Sequence, residues 1–172
     1  MKNPTVVLAD DETCIRQMTA MLLPAENVLV VGEARDGEEA LKLCRKLKPT
    51  FLLTDMRLPK VDAVGVLLRL REGKLAIPVM IYTGCEDDRM LAATLDAKPA
   101  VLVHKTDPLA DFRMGVRCVV EGRSFFSLRP TRVRTSPNFR TGSEALTDAE
   151  MELFRLLVNG NSNNALPFSR NH

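Results

Sequence analysis

The chain lacks the features that would mark an extracellular, zinc-binding or membrane protein. Its four cysteines lie far apart, and none belongs to a Cys-x-x-Cys motif or a Cys/His pair at metal-ligand spacing. This argues against a structural zinc site and against a disulfide framework. No apolar signal segment precedes Asp10, and no stretch approaches about 18 uncharged apolar residues. We therefore expect a cytoplasmic protein with reduced thiols and no membrane span.

Composition and charge divide the chain into unequal parts. With 45% hydrophobic and 27% charged residues it is typical of globular proteins. Residues 1–122 carry 17 Lys/Arg and 18 Asp/Glu, a net charge of −1, whereas 123–172 carry 7 and 4, a net charge of +3. Residues 123–143 contain five arginines and no acidic residue, among Ser, Thr and Pro. We predict a domain over 1–122, a basic linker over 123–143 and a small fragment over 144–172.

Two hydrophobic periodicities alternate along residues 5–120. Short apolar runs, which predict buried strands, lie at 5–9, 28–32, 51–54, 77–82 and 100–103. Helical spacing separates them, with an inward face predicted at Ile15, Met18 and 20–23 and a second at Ala40, Leu41, Leu43, Cys44 and Leu47; further helices are predicted at 64–71, 88–95 and 109–120. This order predicts an α/β fold, a doubly wound five-stranded parallel sheet with right-handed crossovers.

Charged and hydroxyl side chains follow the predicted strands. Ligands of an open parallel sheet bind beyond the carboxyl ends of its strands, so these side chains share one edge: Asp10, Asp11, Asp55, Thr83 and Lys105. Two carboxylates ~4 Å apart repel by ~4 kcal/mol at an intermediate effective dielectric, which calls for a cation. Oxygen ligands of this kind suit Mg²⁺. Asp55 could then accept a phosphoryl group as an acyl phosphate, with Thr83 and Lys105 contacting that group.

Four motifs carry a family resemblance: "VVLADDE", "LLTDMRLP", "VMIYTG" and "VHK". Together, over about residues 4–122, they resemble the receiver domain of bacterial two-component response regulators. The resemblance implies a flavodoxin-like domain in which Asp55 accepts phosphate from a sensor histidine kinase. It also implies that Asp10, Asp11, Asp55 and the backbone carbonyl of Arg57 hold Mg²⁺, while Thr83 and Lys105 sense the phosphoryl group. Taken singly, Asp10 or Asp11 is explained as a helix N-cap and Asp55 as the cap of a turn, whereas Thr83 and Lys105 alone are uninformative.

The chain departs from the family pattern at several positions. Leu102 stands where the family usually has an aromatic residue that moves with the threonine, and Ala63 stands where a glycine is common. The resemblance therefore does not extend to the aromatic side chain that would respond mechanically to phosphorylation. We expect His104 to be an exposed or partly packed neighbour of Lys105.

A turnover enzyme is the alternative of a different class. Haloacid-dehalogenase-like phosphatases also use a strand-end aspartate with Mg²⁺, Thr and Lys. Their two aspartates lie two residues apart on the first strand, whereas Asp10 and Asp11 are adjacent and the best nucleophile, Asp55, follows another strand. A phosphorylatable switch that is not an enzyme is therefore favoured over a Mg²⁺-dependent phosphatase.

The C-terminal part predicts one further helix, over about 147–159. Thr147 and Glu150 fit a capping box, and Gly160 provides a stop. The stretch "LTDAEMELFRLLVNGNSN" resembles the start of a LuxR/NarL-type helix-turn-helix output domain. The likeness ends after Asn164, so we expect the DNA-reading helix to be missing and the helix to favour homodimer formation or local disorder. Transcription regulation, a phosphorylation-dependent interaction module and a degenerate remnant all remain open.

Overall fold

The computed structural model of the chain describes residues 3–127, 132 and 166–167. The predicted helix over 147–159 lies outside the described residues, as does all but a two-residue strand of the predicted helix-turn-helix fragment over 144–172. No helix in the described part of the chain is long and apolar enough to cross a membrane.

A twisted seven-stranded sheet forms the centre of the fold, in the order β2-β1-β3-β4-β5-β6-β7. The pairs from β2 to β6 are parallel, and β7 pairs antiparallel with β6. The strands are β1 (Thr5–Ala9), β2 (Leu29–Ala34), β3 (Phe51–Thr54), β4 (Val79–Thr83), β5 (Val101–His104), β6 (Arg123–Phe126) and β7 (Leu166–Pro167).

Five α-helices connect the parallel strands: α1 (Thr13–Leu22), α2 (Gly37–Leu47), α3 (Ala63–Glu72), α4 (Asp88–Asp96) and α5 (Leu109–Val120). A 3₁₀ turn at Leu23–Glu26 follows α1. Aspartate side chains cap three of the helices. Asp36 accepts from the backbone N–H of Glu39, Asp62 from Gly65, and Asp87 from the first turn of α4. Each cap satisfies a backbone donor that the helix itself cannot.

Apolar side chains cover both faces of the sheet. Val7 and Ala9 of β1 belong to a cluster with residues of α2, α3 and α4, whereas Val6 and Leu8 belong to one with α5 and the 3₁₀ turn. Alternate residues of a strand point to opposite faces, so a strand buried on both faces carries a continuous apolar run. The doubly wound α/β architecture predicted from the sequence is confirmed.

The count of five strands is wrong, because the sheet continues into the segment assigned to the linker. β6 begins at Arg123, directly after Gly122, whose positive φ of 72° reverses the chain after α5. Phe125 is buried against the α5 side, and Phe126 packs against the opposite cluster. The strand begins with an arginine and a serine, so its first half resembles the basic segment that follows it.

The predicted inward face of α1 is only partly confirmed: Leu23 is buried, and Ala20 and Leu22 pack against the core. Met18 and Met21 are 58% and 80% exposed, whereas Arg16 and Thr19 are buried. The buried guanidinium of Arg16 has polar partners, the carbonyl of Asp10 and the carboxylate of Glu33. The face predicted for α2 is confirmed at Ala40, Leu41 and Cys44.

All four cysteines lie in the described part of the chain, and all are free thiols. Cys14 is exposed, and Cys44, Cys85 and Cys118 are buried. Burial raises the pKa of the Cys44 thiol to about 12 and also raises the pKa of Cys118. The three buried cysteines act as small apolar residues rather than as bonded pairs.

Candidate functional site

The carboxyl ends of β1, β3, β4 and β5 bring four of the predicted site residues to one edge of the sheet. Asp10 and Asp55 directly follow β1 and β3, Thr83 ends β4, and Lys105 directly follows β5. Backbone hydrogen bonds continue past the strands: the N–H of Asp55 donates to Ala9 O at 2.8 Å, and that of Lys105 to Thr83 O at 2.7 Å. The side chains therefore project from fixed backbone positions.

Lys105 joins the two carboxylates. Its Nζ lies 3.0 Å from Asp55 Oδ1 and 3.1 Å from Asp10 Oδ2. The side chains are only partly open to solvent, 21% for Lys105, 13% for Asp55 and 7% for Asp10. An ammonium between two carboxylates offsets the repulsion that would otherwise oppose their approach.

The ammonium is held in its charged form. Burial lowers the pKa of Lys105, but the carboxylates of Asp55 and Asp10 together outweigh this effect, and the pKa is raised overall. The side chain also lies near the ring of Tyr82, with Nζ 5.8 Å from the ring centroid. Tyr82 in turn packs on Phe112, with 4.8 Å between the ring centroids, and forms an aromatic wall beside the site.

Each carboxylate is oriented by its second oxygen as well. Asp55 Oδ2 accepts from the backbone N–H of Arg57 at 2.8 Å, and Asp10 Oδ1 accepts from that of Glu12 at 2.9 Å. These short-range bonds turn the loops beyond β1 and β3 so that both carboxylates face Lys105. Asp55 is thus preorganised with one oxygen on a cation and the other on a backbone N–H.

Thr83 lies at the same edge but does not bond to Asp55. The residue is 1% exposed, and its Oγ1 accepts from the backbone N–H of Cys85 at 3.2 Å. An accepting hydroxyl keeps its own proton for donation. The hydroxyl proton of Thr83 is therefore available for a further hydrogen bond.

The third predicted carboxylate, Asp11, directly follows Asp10 in the chain. Asp11 is exposed. Among residues 3–127, no three His, Cys, Asp or Glu side chains are grouped closely enough to hold a metal ion. Asp10 and Asp55 do supply the hard oxygen donors that a divalent cation prefers, and their carboxylates already share one positive charge. The donor chemistry fits Mg²⁺.

Arg16 is a site residue that the sequence pattern did not single out. It is 4% exposed; its Nη1 donates to the backbone carbonyl of Asp10 at 2.7 Å, and its Nε donates to Glu33 at 2.9 Å. A buried guanidinium paired with a carboxylate and a carbonyl fixes the turn between β1 and α1. One indication of this role was present in the sequence: Arg16 lies one turn into a helix that begins shortly after two aspartates.

His104 is placed differently from expectation. It was predicted to be exposed or partly packed, but it is 0% exposed at the end of β5. Its ring contacts the backbone of Cys85 and the side chain of Thr106. The prediction failed because β6 extends the sheet beyond β5 and Ser127 closes over this strand end.

Comparisons with known proteins agree with this fold. Residues 6–113 match the response regulator receiver domain family. A Pseudomonas aeruginosa protein named as a transcriptional regulator is 30% identical over 164 residues, covering 94% of this chain and 79% of the relative. The response regulator GacA of the same species is 27% identical over 160 residues, covering 90% and 75%.

Solved structures show the same likeness. The signal receiver domain of NarL from Mycobacterium tuberculosis superposes with a TM-score of 0.67 at 27% identity, covering 72% of this chain and all of that one. RcsB from Salmonella typhimurium, at 24% identity, shares the fold with a TM-score of 0.72 over 93% of this chain and 79% of its own. The chain belongs to the response regulator receiver domain family.

Proposed function

We propose that the protein is a signalling switch that accepts a phosphoryl group on Asp55 from a sensor histidine kinase in the cytoplasm. The observation that carries this proposal is the Asp55–Lys105–Asp10 arrangement at the carboxyl edge of the sheet. It presents an oriented carboxylate beside a fixed positive charge. Membership of the receiver family and relatives named as regulators support the same role.

The transfer replaces one bond to phosphorus with another. An oxygen of the Asp55 carboxylate attacks the phosphorus of a kinase phosphohistidine and forms an acyl phosphate, while the P–N bond breaks and its electron pair returns to the imidazole nitrogen. Lys105 offers a point charge to the phosphoryl oxygens, and the Thr83 hydroxyl donates a hydrogen bond. Positioning and charge are the main contributions that such a transfer requires of the protein.

A divalent cation completes the proposed site. Asp10, Asp11, Asp55 and the backbone carbonyl of Arg57 are the groups that would hold Mg²⁺, and the ion would supply positive charge to offset that of the phosphoryl group. Arg16 positions the first of these ligands, because its guanidinium donates a hydrogen bond to the backbone carbonyl of Asp10.

The proposal is tested by phosphorylation without the kinase. Incubation with Mg²⁺ and acetyl phosphate is expected to add one phosphoryl group by intact mass, and Mg²⁺ with beryllofluoride is expected to raise the melting temperature. Asp55→Asn should abolish both effects, because an amide is a poor nucleophile and lacks the charge. Asp62→Asn is the matched control, since asparagine also caps a helix.

Failure of the wild type to form an adduct, or an equal adduct in Asp55→Asn, would contradict the proposal. Many turnovers on small phosphomonoesters would instead indicate a phosphatase.

DNA binding is tested separately, by an electrophoretic mobility-shift assay at physiological salt. Sequence-specific retardation would support transcription regulation, as the names of the relatives suggest, and its absence would favour a phosphorylation-dependent interaction module, with a second copy of the chain as a partner.

A further inference from the structure

His104 is a buried polar residue that the proposed transfer does not use. Its side chain is 0% exposed, yet each ring nitrogen has a partner: Nε2 lies 3.0 Å from Cys85 O, and Nδ1 lies 2.7 Å from Thr106 Oγ1. The backbone N–H of Thr106 also approaches Nδ1, at 3.3 Å. A buried side chain with complete polar contacts is held in one orientation.

The partners determine which nitrogen carries the proton. A backbone N–H only donates, so Nδ1, which faces that of Thr106, must accept. A backbone carbonyl only accepts, so Nε2, which faces that of Cys85, must donate. The geometry therefore defines a neutral imidazole with its proton on Nε2 and a direct hydrogen bond from His104 to the loop after β4.

That loop carries the hydroxyl of Thr83. Cys85 donates its backbone N–H to Thr83 Oγ1 at 3.2 Å and accepts from His104 through its carbonyl. One residue of the loop is thus tied on its N–H side to the threonine hydroxyl and on its carbonyl side to β5. A shift of this loop would therefore change the hydrogen bond that Thr83 Oγ1 accepts from Cys85.

The backbone of His104 is itself anchored from the other side. Its N–H donates to Ser127 Oγ at 3.1 Å, and that hydroxyl donates to the carboxylate of Asp107. Ser127 also donates its N–H to the carbonyl of Leu102 at 3.0 Å. Leu102 packs in the apolar core and has no side-chain polar group to offer. His104 thus provides a side-chain connection between β5 and the loop after β4, beside the backbone hydrogen bond from Lys105 to Thr83 O.

We propose that His104 is a positioning residue for Thr83, holding the loop after β4 through its Nε2–H so that the hydroxyl keeps its proton for the phosphoryl group. This inference rests on the proposed function of Asp55. The hydrogen-bonded imidazole of His104 thereby couples β5 to the loop after β4.

Two substitutions separate the hydrogen bond from the bulk of the ring. His104→Leu keeps an apolar side chain but removes the donor, and His104→Gln can place an N–H near the position of Nε2. We expect His104→Leu to slow adduct formation with acetyl phosphate and to weaken beryllofluoride binding about fivefold, the effect of losing roughly one net hydrogen bond. His104→Gln should recover most of this loss.

Thr94→Val is a matched control for stability alone. The Thr94 side chain is buried and donates to Met90 O at 2.8 Å within α4, so this variant also loses a buried hydrogen bond. We expect it to lower the free energy of unfolding without changing the adduct rate. Equal rates for wild type and folded His104→Leu would overturn the proposal, as would equal losses in His104→Leu and His104→Gln.

A measurement on the wild type keeps the proposal testable if the leucine variant does not fold. Long-range ¹H–¹⁵N correlation spectra report which ring nitrogen bears the proton. A neutral ring protonated on Nε2 supports the assignment, and a proton on Nδ1 or on both nitrogens overturns it. A wild type that forms no adduct but shows the Nε2–H ring would contradict the proposed phosphoryl transfer and leave the hydrogen bond to Cys85 confirmed.

Discussion

Lys105→Met is expected to lower the free energy of unfolding by about 2–3 kcal/mol at neutral pH without divalent cations. The change leaves the carboxylates of Asp10 and Asp55 facing one another with no ammonium between them. Removing one partner of a fully buried ion pair costs roughly 3–5 kcal/mol, and we expect less because Asp55 keeps some contact with water. Urea unfolding measures the change.

Lys60→Met is the matched control. Lys60 Nζ lies 2.7 Å from Asp36 and 3.9 Å from Glu38, but its side chain is 57% exposed. Water screens these pairs, so the same substitution should have a much smaller effect. Equal losses in the two variants would show that the Lys105 contacts do not stabilise the fold beyond ordinary surface pairs.

The effect of Lys105 also depends on pH. Burial lowers its pKa, Asp55 and Asp10 raise it more, and the folded-state pKa therefore exceeds the ordinary value of 10.5. The stabilisation is complete below pH 10.5 and is lost as the pH rises through the folded-state pKa. The difference in unfolding free energy between wild type and Lys105→Met should thus be constant near neutral pH and shrink above pH 10.5. A constant difference through pH 11 and beyond would contradict this account.

Gly37→Ala is expected to destabilise the fold by about 3 kcal/mol, at the upper end of ordinary overpacking. A Cβ at this position would lie 1.9 Å from the carbonyl oxygen of Val61 and 2.8 Å from its carbonyl carbon. The obstacle is backbone, so no side-chain rotation relieves it. Gly37 also donates its N–H to Pro59 O at 3.2 Å, in the loop that follows Asp55. Moving α2 away would disturb that loop.

Gly84→Ala provides the comparison. A Cβ there would meet only Lys105, with its nearest atom at 3.8 Å, an ordinary van der Waals distance. We expect thermal unfolding to show a large decrease in melting temperature for Gly37→Ala and a small change for Gly84→Ala. Similar decreases in both would mean that α2 can shift away from Val61 at little cost.

The centre of the fold could be predicted from the sequence because its signals are local. β1, β3 and α5 have the bounds expected from apolar periodicity. β6 could not be predicted in this way, because a four-residue strand with two polar residues carries no period. Its place depends on pairing with β5, a contact between distant parts of the chain.

The same distinction applies to the site. Asp10, Asp55, Thr83 and Lys105 follow strands, so their common edge follows from the parallel topology. The roles of Arg16 and His104 depend instead on tertiary partners, the carbonyls of Asp10 and Cys85, which spacing does not reveal. Sequence patterns locate residues along an edge of a sheet, but polar contacts with backbone carbonyls become visible only in the folded chain.

The distribution of the cysteines allows the native chain to be labelled at one position for spectroscopy. Three thiols are buried and shielded from reagents, while Cys14 is exposed in the first turn of α1, close in sequence to Asp10 and Asp11. A thiolate is the reactive form, and the raised pKa of Cys44 and of Cys118 keeps those two sulfurs protonated. A maleimide dye or spin label would therefore attach selectively at Cys14, giving an unmutated protein with a single reporter beside its acidic loop.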